Sequence, residues 1–378
     1  MTAEIMARFG PKGVRRIPPS ELPGADAAAD TGAGPGAVAR TGPGTGALPP
    51  DAARALADPG LPLQVGPYFT ASTGEPLALA EYAATIGYPD AIPTTPASAS
   101  ASAETFNEAP GGTFNDASGG TSGEASGRTS GGTASGASGG SSNGTSGGTS
   151  GGTFGKASRE ASGGVVDAAG WCRVGTDHGA EICVTGAGDV QAVFVTATAP
   201  PMTVNGSVPA FIASLLALDR YLPPLASPGD RNPAEIFREL RQALLEIDEP
   251  ALADDEAWWP RVLEQIRHAL SFPFAAAVEY EDANGGKHVE TEQARVGLPH
   301  PERLLWDRLD ARGIAPGQVT RVYTELEPCF LPGNYCRTGL SRFRNAEFTY
   351  SFDYGATADE RERGLLELMR QAAGATET

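Results

Sequence analysis

A tract of low complexity between Ala91 and Gly164 constrains the fold of this chain more than any other feature. Gly, Ser, Thr and Ala dominate it, and Gly-Gly-Thr recurs at positions 111, 119, 131, 147 and 151. Such a sequence has too little apolar surface to offset the chain entropy that is lost on folding. We therefore expect a long disordered insertion, and a flexible coil of roughly 70 residues spans about 45–50 Å.

The composition also rules out one uniform globule, because most of the 49 Gly lie in the first half of the chain. We expect an extended or disordered lead-in at 1–48, an α+β domain formed by 49–90 and 165–270, and a second domain at 271–378. In the second domain, strands flank a turn at Asn284-Gly285-Gly286, where glycine permits a positive φ. A helix is predicted at 300–310, a strand at 319–326, a helix after Cys329, a strand at 347–354 and a helix at 358–373.

Four side chains in the second domain have the chemistry of a catalytic metal site. The chain reads His300-Pro301-Glu302, and later Glu327-Pro328-Cys329 followed after six residues by Cys336. Zinc binds imidazole nitrogen and thiolate sulfur, and a catalytic zinc keeps one position open for water. This order of residues is typical of zinc-dependent nucleobase deaminases. We predict that His300, Cys329 and Cys336 hold Zn²⁺, which lowers the pKa of water toward roughly 7, and that Glu302 transfers protons.

Other interpretations of these residues stay open. A His-x-Glu sequence is frequent by chance, and two nearby cysteines also occur as a disulfide or as buried thiols. The predicted strand between the two halves of the motif favours the metal site, and Pro328 would end that strand. Cys329 would then begin the next helix, where the helix N-terminus stabilises a thiolate. Cys172, His178 and Cys183 form a weaker candidate for a second metal site, because buried cysteines are usually small core residues.

The charge pattern limits the partners that the chain can bind. The net charge of −18 disfavours a long polyanion. Between Val296 and Asn345, however, seven arginines face five acidic residues, which is enough for a phosphate or a short single strand unless these are solvated helix-face charges. Trp306, Phe330 and Tyr335 are candidates for stacking on a base, with core packing as the alternative.

The chain shows no sign of membrane insertion or of a cleaved signal peptide. It has no run of about 18 apolar residues, and its N-terminus lacks an apolar segment of signal length. We expect a cytoplasmic location, which suits thiolate ligands, with export independent of a signal peptide left open.

The first domain resembles the SUKH superfamily of immunity-type α+β domains from bacterial toxin systems. The resemblance rests on these segments: Gly60-Leu61-Pro62, Gly66-Pro67-Tyr68-Phe69, Gly175-Thr176-Asp177, Asn205-Gly206-Ser207-Val208 and Trp258-Trp259. It implies a module that binds a toxin or another protein partner. The fusion to a second domain motivates the hypothesis that the SUKH-like domain restrains that domain in cis.

The second domain is similar to the nucleic acid or nucleotide deaminase domains of bacterial polymorphic toxins. The residues that carry this resemblance are His300-Pro301-Glu302, the segment from Thr324 to Cys329, Tyr335-Cys336 and the segment from Thr349 to Tyr354. The resemblance implies an α/β, cytidine-deaminase-like domain of three layers, with the zinc ligands and the proton shuttle predicted above. The expected substrate is cytosine or adenine in a nucleotide or a single-stranded nucleic acid. The alternative is a SUKH-type binding protein with a structural zinc and no catalysis.

Overall fold

The structure is a computed structural model that describes residues 1–23, 47–88, 168–195 and 199–375. The predicted insertion at 91–164 and residues 24–46 of the predicted lead-in lie outside these ranges. We call the described residues up to Ser271 the N-terminal domain, and those from Phe272 onward the C-terminal domain. Of the helices in the described residues, none is long and apolar enough to cross a membrane.

The first residues of the chain are folded, which corrects the expectation of an extended lead-in. Helix α1 spans Thr2–Phe9 and the short strand β1 spans Val14–Arg15. Ile5 and Ile17 are almost completely buried in the core of the N-terminal domain. Burial of a large aliphatic side chain contributes roughly 1.5–3 kcal/mol, and these scattered apolar residues hold the segment in place.

The N-terminal domain is built around an antiparallel sheet of six strands in the order β3-β4-β5-β6-β7-β8. Its elements before the helical part are α2 (Pro50–Ala57), β2 (Leu61–Pro62), β3 (Gln64–Val65), β4 (Phe69–Ala71), α3 (Leu79–Thr85), β5 (Cys172–Thr176), β6 (Glu181–Val184), β7 (Val190–Val193) and β8 (Met202–Asn205). β4 pairs with β5, so the segments on either side of the insertion belong to one sheet. β2 pairs with β1 outside this sheet.

Three helices complete the N-terminal domain: α4 (Val208–Ala226), α5 (Pro233–Asp248) and α6 (Trp258–Ser271). Ser207 caps α4 by accepting a hydrogen bond from the Ala210 N–H. α4 continues through Pro223 and Pro224, and Leu222 and Leu225 in this last part of the helix are buried. In α6, Trp258 and Trp259 are fully buried.

The C-terminal domain has the predicted order β-β-α-β-α-β-α. Its elements are β9 (Ala275–Glu281), β10 (Lys287–Gln293), α7 (Pro301–Ala311), β11 (Val319–Leu326), α8 (Cys336–Leu340), β12 (Glu347–Phe352) and α9 (Ala358–Ala375). The sheet order is β10-β9-β11-β12, and only β11 and β12 are parallel neighbours. The carboxyl ends of this parallel pair lie beside the loop that leads into α8.

Within the described residues, the C-terminal domain has two layers instead of the expected three. Alternate residues of β9 and β11, including Val278, Val322 and Leu326, are buried under α7 and α9. The opposite face carries Glu279 and Tyr323 and is half-exposed or exposed. The polar side chains on this face form hydrogen bonds with water, so the face does not need to be covered by a layer of helices.

Candidate metal centre

His300 and Glu302 reach the same site because the helix begins between them. His300 is the N-cap of α7 with extended backbone angles, and Pro301 is the first helical residue. Proline is well tolerated at this position, since its missing N–H has no partner in the first turn. The His300 N–H donates to the side-chain oxygen of Asn334 at 2.7 Å, which ties the start of α7 to the loop that carries the second half of the motif.

The two cysteines lie at the ends of one loop. β11 ends at Leu326, Cys329 follows in the loop, and Cys336 is the first residue of α8. The prediction that Cys329 begins a helix is therefore wrong, and the helix starts one full loop later. Gly333 explains the difference, because its φ of +80° turns the chain in a way that a helix does not permit.

The distances between the candidate ligand atoms fit a zinc ion. Nδ1 of His300 lies 3.4 Å from the Cys329 sulfur and 3.6 Å from the Cys336 sulfur, and all three atoms lie within 4.8 Å of one another. A tetrahedral zinc with Zn–N near 2.0–2.1 Å and Zn–S near 2.3 Å places nitrogen and sulfur ligands about 3.5 Å apart. All three side chains are buried. The donor set and its spacing therefore suit zinc.

The Glu302 carboxylate completes the site. Glu302 is 5 % exposed, and its Oε2 is a buried oxygen without a hydrogen-bond partner in the described part of the chain. Burial raises the pKa of Glu302, while the His300 imidazole lowers it in part. A buried carboxylate oxygen that no protein group satisfies is costly, so this atom is available to a water molecule or a substrate.

The protonation of the cysteines is asymmetric. Burial raises the pKa of the Cys329 thiol, but hydrogen bonding to Cys336 and the His300 imidazole more than offset this and hold it well below its ordinary value. Burial and the adjacent Cys329 raise the pKa of Cys336 well above its ordinary value. Because thiolates are the metal-binding form of cysteine, a thiolate in this pair, next to the His300 imidazole, can bind a cation.

A cavity of about 420 Å³ opens beside Glu302 and Cys336. Helix α7 contributes Arg303 and Trp306 to its wall, and the segment after Cys336 contributes Arg342. One further wall residue, His178, comes from the N-terminal domain. The volume falls within the range of about 300–1,000 Å³ of small-molecule sites.

The structure separates the three aromatic candidates for base stacking. Trp306 lines the cavity, with its indole packed edge-on against Phe343 at 5.0 Å. Tyr335 also borders the cavity, but its ring is 1 % exposed and belongs to the core of the N-terminal domain. Phe330 packs against the same core. Core packing is thus the observed role for Tyr335 and Phe330. Trp306 is also buried in the core of the C-terminal domain, and it lines the cavity as well.

Several arginines of the predicted basic patch form ion pairs within the domain. Arg308 and Arg312 pair with Glu290, and Arg308 also pairs with Glu292. Arg321 pairs with Glu347 at 3.1 Å. The charge that faces the cavity is instead carried by Arg303 and Arg342, whose guanidinium lies 5.3 Å from the Trp306 ring.

The second candidate metal site does not form. Among the described residues, the only cluster of at least three potential ligands is His300, Cys329 and Cys336. Cys172 and Cys183 are buried in the sheet of the N-terminal domain, whereas His178 is exposed in the turn between β5 and β6. Small size and burial account for both cysteines.

Two residues that matter for the site were not found from the sequence. Asn334 bonds to the His300 N–H, and its own amide donates to Gln265 of α6. Gln265 also donates to the Pro332 carbonyl at 2.8 Å. What distinguishes Asn334 and Gln265 is that their polar side chains are buried. This burial depends on how the two domains pack, so the sequence does not show it.

The fold and the site define a two-domain protein with a deaminase-type C-terminal domain. A family described as Xanthomonas-like deaminase matches residues 273–371, and a family described as SUKH-4 immunity protein matches residues 148–265. The chain therefore carries a SUKH-4 immunity domain followed by a Xanthomonas-like deaminase domain. No curated protein and no solved structure matches it.

Proposed function

We propose that this protein is a zinc-dependent hydrolase that deaminates cytosine or adenine in a nucleotide or a single-stranded nucleic acid. The observation that carries the proposal is the meeting of three zinc-type ligand atoms within 4.8 Å of one another beside the buried, unpartnered carboxylate oxygen of Glu302. A purely structural zinc site needs the three ligands but has no use for that carboxylate. The match to a deaminase family over 273–371 supports the same reaction.

His300, Cys329 and Cys336 would hold the metal. A bound zinc ion would lower the pKa of a water molecule, so that hydroxide is available near neutral pH. Glu302 takes one proton from the attacking water and passes it to the ring nitrogen next to the reacting carbon. It then moves the second proton to the amine, which leaves as ammonia while the ring carbon becomes a carbonyl. Positioned proton transfer of this kind contributes typically 10²–10⁴-fold to the rate.

The cavity supports a substrate that carries phosphate. Arg303 and Arg342 both line it, and a guanidinium matches the geometry of phosphate oxygens. Asp307 and Asp310 line the same cavity and limit its positive charge. The chain as a whole has a net charge of −18, so a nucleotide or a short single strand suits the site better than a long duplex.

The N-terminal domain is proposed to bind a protein partner. This proposal rests on the match to the SUKH-4 immunity family, and the pairing with a deaminase domain supports a role in a toxin or conflict system. We take the domain to comprise residues 49–90 and 165–270 together with the folded first segment of the chain, which packs into its core, and we place the deaminase domain at 271–378. We expect a cytoplasmic location.

The test combines metal content with product analysis on the full chain. Purified protein is assayed for zinc and then offered single-stranded DNA, single-stranded RNA, and free cytidine and adenosine nucleotides. Mass spectrometry detects the gain of about one dalton when an amine becomes a carbonyl. We expect about one zinc per chain, as a three-ligand site predicts, and conversion of at least one substrate.

The substitution Glu302→Gln distinguishes an enzyme from a binding protein with a structural zinc. It keeps the size and the polarity of the side chain but removes proton transfer, so zinc content should be unchanged while turnover falls by about 10²–10⁴-fold. Glu325→Gln is the matched control: Glu325 lies on β11 outside the cavity, and its side chain accepts a hydrogen bond from the Ala275 N–H. A Glu302→Gln protein as active as the control would refute the proposed mechanism.

A further inference from the structure

The turn between β5 and β6 of the N-terminal domain lies against the candidate metal centre. The turn runs from Asp177 to Ala180, and it is closed by a hydrogen bond from the Asp177 N–H to the Ala180 carbonyl at 3.1 Å. His178 in this turn lines the cavity beside Glu302. The Arg303 guanidinium lies 3.2 Å from Nδ1 of His178, so the two domains meet at the wall of the cavity.

Tyr335 is the residue through which this turn contacts the metal-binding loop. The Tyr335 hydroxyl donates to Oδ2 of Asp177 at 2.7 Å. Its ring packs edge-on against Phe194 at 5.3 Å, and a Cβ atom added at Gly179 would overlap the ring. The side chain of Tyr335 is thus enclosed by the N-terminal domain, although its backbone belongs to the C-terminal domain.

The Asp177 carboxylate that accepts this hydrogen bond is held in place by further donors of the N-terminal domain. Asp177 is fully buried, and it also accepts hydrogen bonds from the Trp258 indole N–H at 2.8 Å and from the Ala180 N–H at 2.7 Å. A buried carboxylate with several donors is rigid, because losing any one donor leaves an oxygen unsatisfied in a dry environment. Tyr335 therefore bonds to a fixed point of the N-terminal domain.

The backbone of Tyr335 transmits this position to Cys336. Tyr335 has φ +41° and ψ +48°, a left-handed conformation that costs about 1–3 kcal/mol for a residue with a side chain and persists only where surrounding contacts hold it. This turn directs the Tyr335 ring into the N-terminal domain and the next side chain, Cys336, toward His300 at 3.6 Å. If the Tyr335 ring left the N-terminal domain, no contact would hold the left-handed backbone conformation of Tyr335. The backbone would relax, and the Cys336 sulfur would be displaced.

We propose that the Asp177–Ala180 turn of the N-terminal domain is part of the metal centre, with Asp177 as a positioning residue that holds Cys336 in place through Tyr335. The inference rests on the proposed zinc site, and it makes the two domains one functional unit. The N-terminal domain then supports the deaminase site directly, in contrast to the restraint in cis that the fusion alone had motivated.

The sharpest test is the zinc affinity of the full chain, measured by competition with a chromophoric chelator. Gly179→Ala adds one methyl group that must push the Tyr335 ring, and Gly186→Ala is the matched control. Gly186 lies in the next turn of the same sheet, its φ is not positive, and a Cβ added there meets no atom within 4 Å. We expect Gly179→Ala to weaken zinc binding by about 10–100-fold, the usual effect of removing an outer partner of a metal ligand, and Gly186→Ala to leave it unchanged.

A second pair of variants removes only a hydroxyl. Tyr335→Phe loses the hydrogen bond to Asp177 and should weaken zinc binding about tenfold. Tyr280→Phe is its control, because the Tyr280 hydroxyl bonds to Glu290 at 3.3 Å, away from the loop. Asp248→Asn controls for a purely structural effect, since it alters a carboxylate of the N-terminal domain that accepts from Asn205 and Gly206. This variant should lower the melting temperature without changing zinc affinity.

The outcomes separate this inference from the proposed function. Wild-type zinc affinity in folded Gly179→Ala and Tyr335→Phe proteins overturns the inference and leaves the zinc site standing. Equal losses of affinity in Asp248→Asn also overturn it, because the effect would then be general destabilisation. A wild-type chain that binds no zinc overturns both. Weaker binding confined to the Gly179 and Tyr335 variants supports the inference.

Discussion

Replacing Arg361 by methionine should strongly destabilise the protein. Arg361 lies on α9 of the C-terminal domain and is 3 % exposed. Its guanidinium donates to both oxygens of Glu264 on α6, at 2.7 and 2.8 Å. Glu264 is 8 % exposed, so without Arg361 its charge would be buried and unpaired. Breaking one partner of a buried ion pair costs about 3–5 kcal/mol in the free energy of unfolding.

Urea denaturation followed by circular dichroism and tryptophan fluorescence measures this loss. The double variant Glu264→Leu with Arg361→Met removes both charges, and it should recover to within about 2 kcal/mol of the wild type, because apolar replacement of a buried pair is often nearly neutral. Arg231→Met is the control. Arg231 pairs with Glu239 at about half exposure on both sides, and exposed pairs contribute about 0–1 kcal/mol.

Two outcomes would refute this reasoning. A cost below about 1 kcal/mol for Arg361→Met would mean that the pair is effectively solvated, as exposed pairs are. A double variant as unstable as the single variant would mean that lost packing, and not an unpaired carboxylate, accounts for the effect.

Three further predictions follow from buried groups and from the metal site. His268 is fully buried, and burial lowers its pKa from 6.5 to about 4. The unfolded chain therefore binds this proton more tightly, so the contribution of His268 to stability should fall by about 3 kcal/mol as the pH drops from 6.5 to 4. The difference between the wild type and His268→Gln isolates this contribution from the other groups that titrate in the same range. Urea titrations at several pH values should show this loss in the wild type and a flatter profile in His268→Gln. Gly333→Ala should cost about 1–3 kcal/mol in thermal melts, because φ is +80° and a Cβ would meet the Pro67 carbonyl oxygen at 2.8 Å; Gly317→Ala, in open space, should be close to neutral. Free zinc at 100 times its dissociation constant should stabilise the folded chain by about 2.7 kcal/mol, and a chelator should reverse the accompanying rise in melting temperature.

Local sequence patterns were sufficient for the order of the helices and strands in the C-terminal domain. Alternating side chains predicted β11 at Val319–Leu326 with its observed bounds, and helical spacing predicted α7 within one residue of Pro301–Ala311. The chemistry of His300, Cys329 and Cys336 predicted a zinc site, and the structure brings their ligand atoms together. These features depend on residue types and on periods of a few residues, which a sequence displays directly.

The same patterns failed where burial depends on distant partners. The segment around Ile5 was expected to be extended, yet it forms α1, whose buried side chain belongs to the core of the N-terminal domain. The expected third layer of the C-terminal domain is not formed by the described residues, because the polar residues around Glu279 and Tyr323 satisfy that face of the sheet in water. In both cases the outcome depends on tertiary packing that overrides local preference.

The sequence by itself determined the ligand chemistry and the order of elements in the deaminase domain. Only the tertiary structure decided that Tyr335 leaves its own domain to bond Asp177, a contact between residues 158 positions apart. The same holds for the link from Gln265 through Asn334 to His300. Contacts at such separations produce no periodic pattern in the sequence. They depend on how two folded surfaces fit together, and not on the residues that lie next to each partner along the chain.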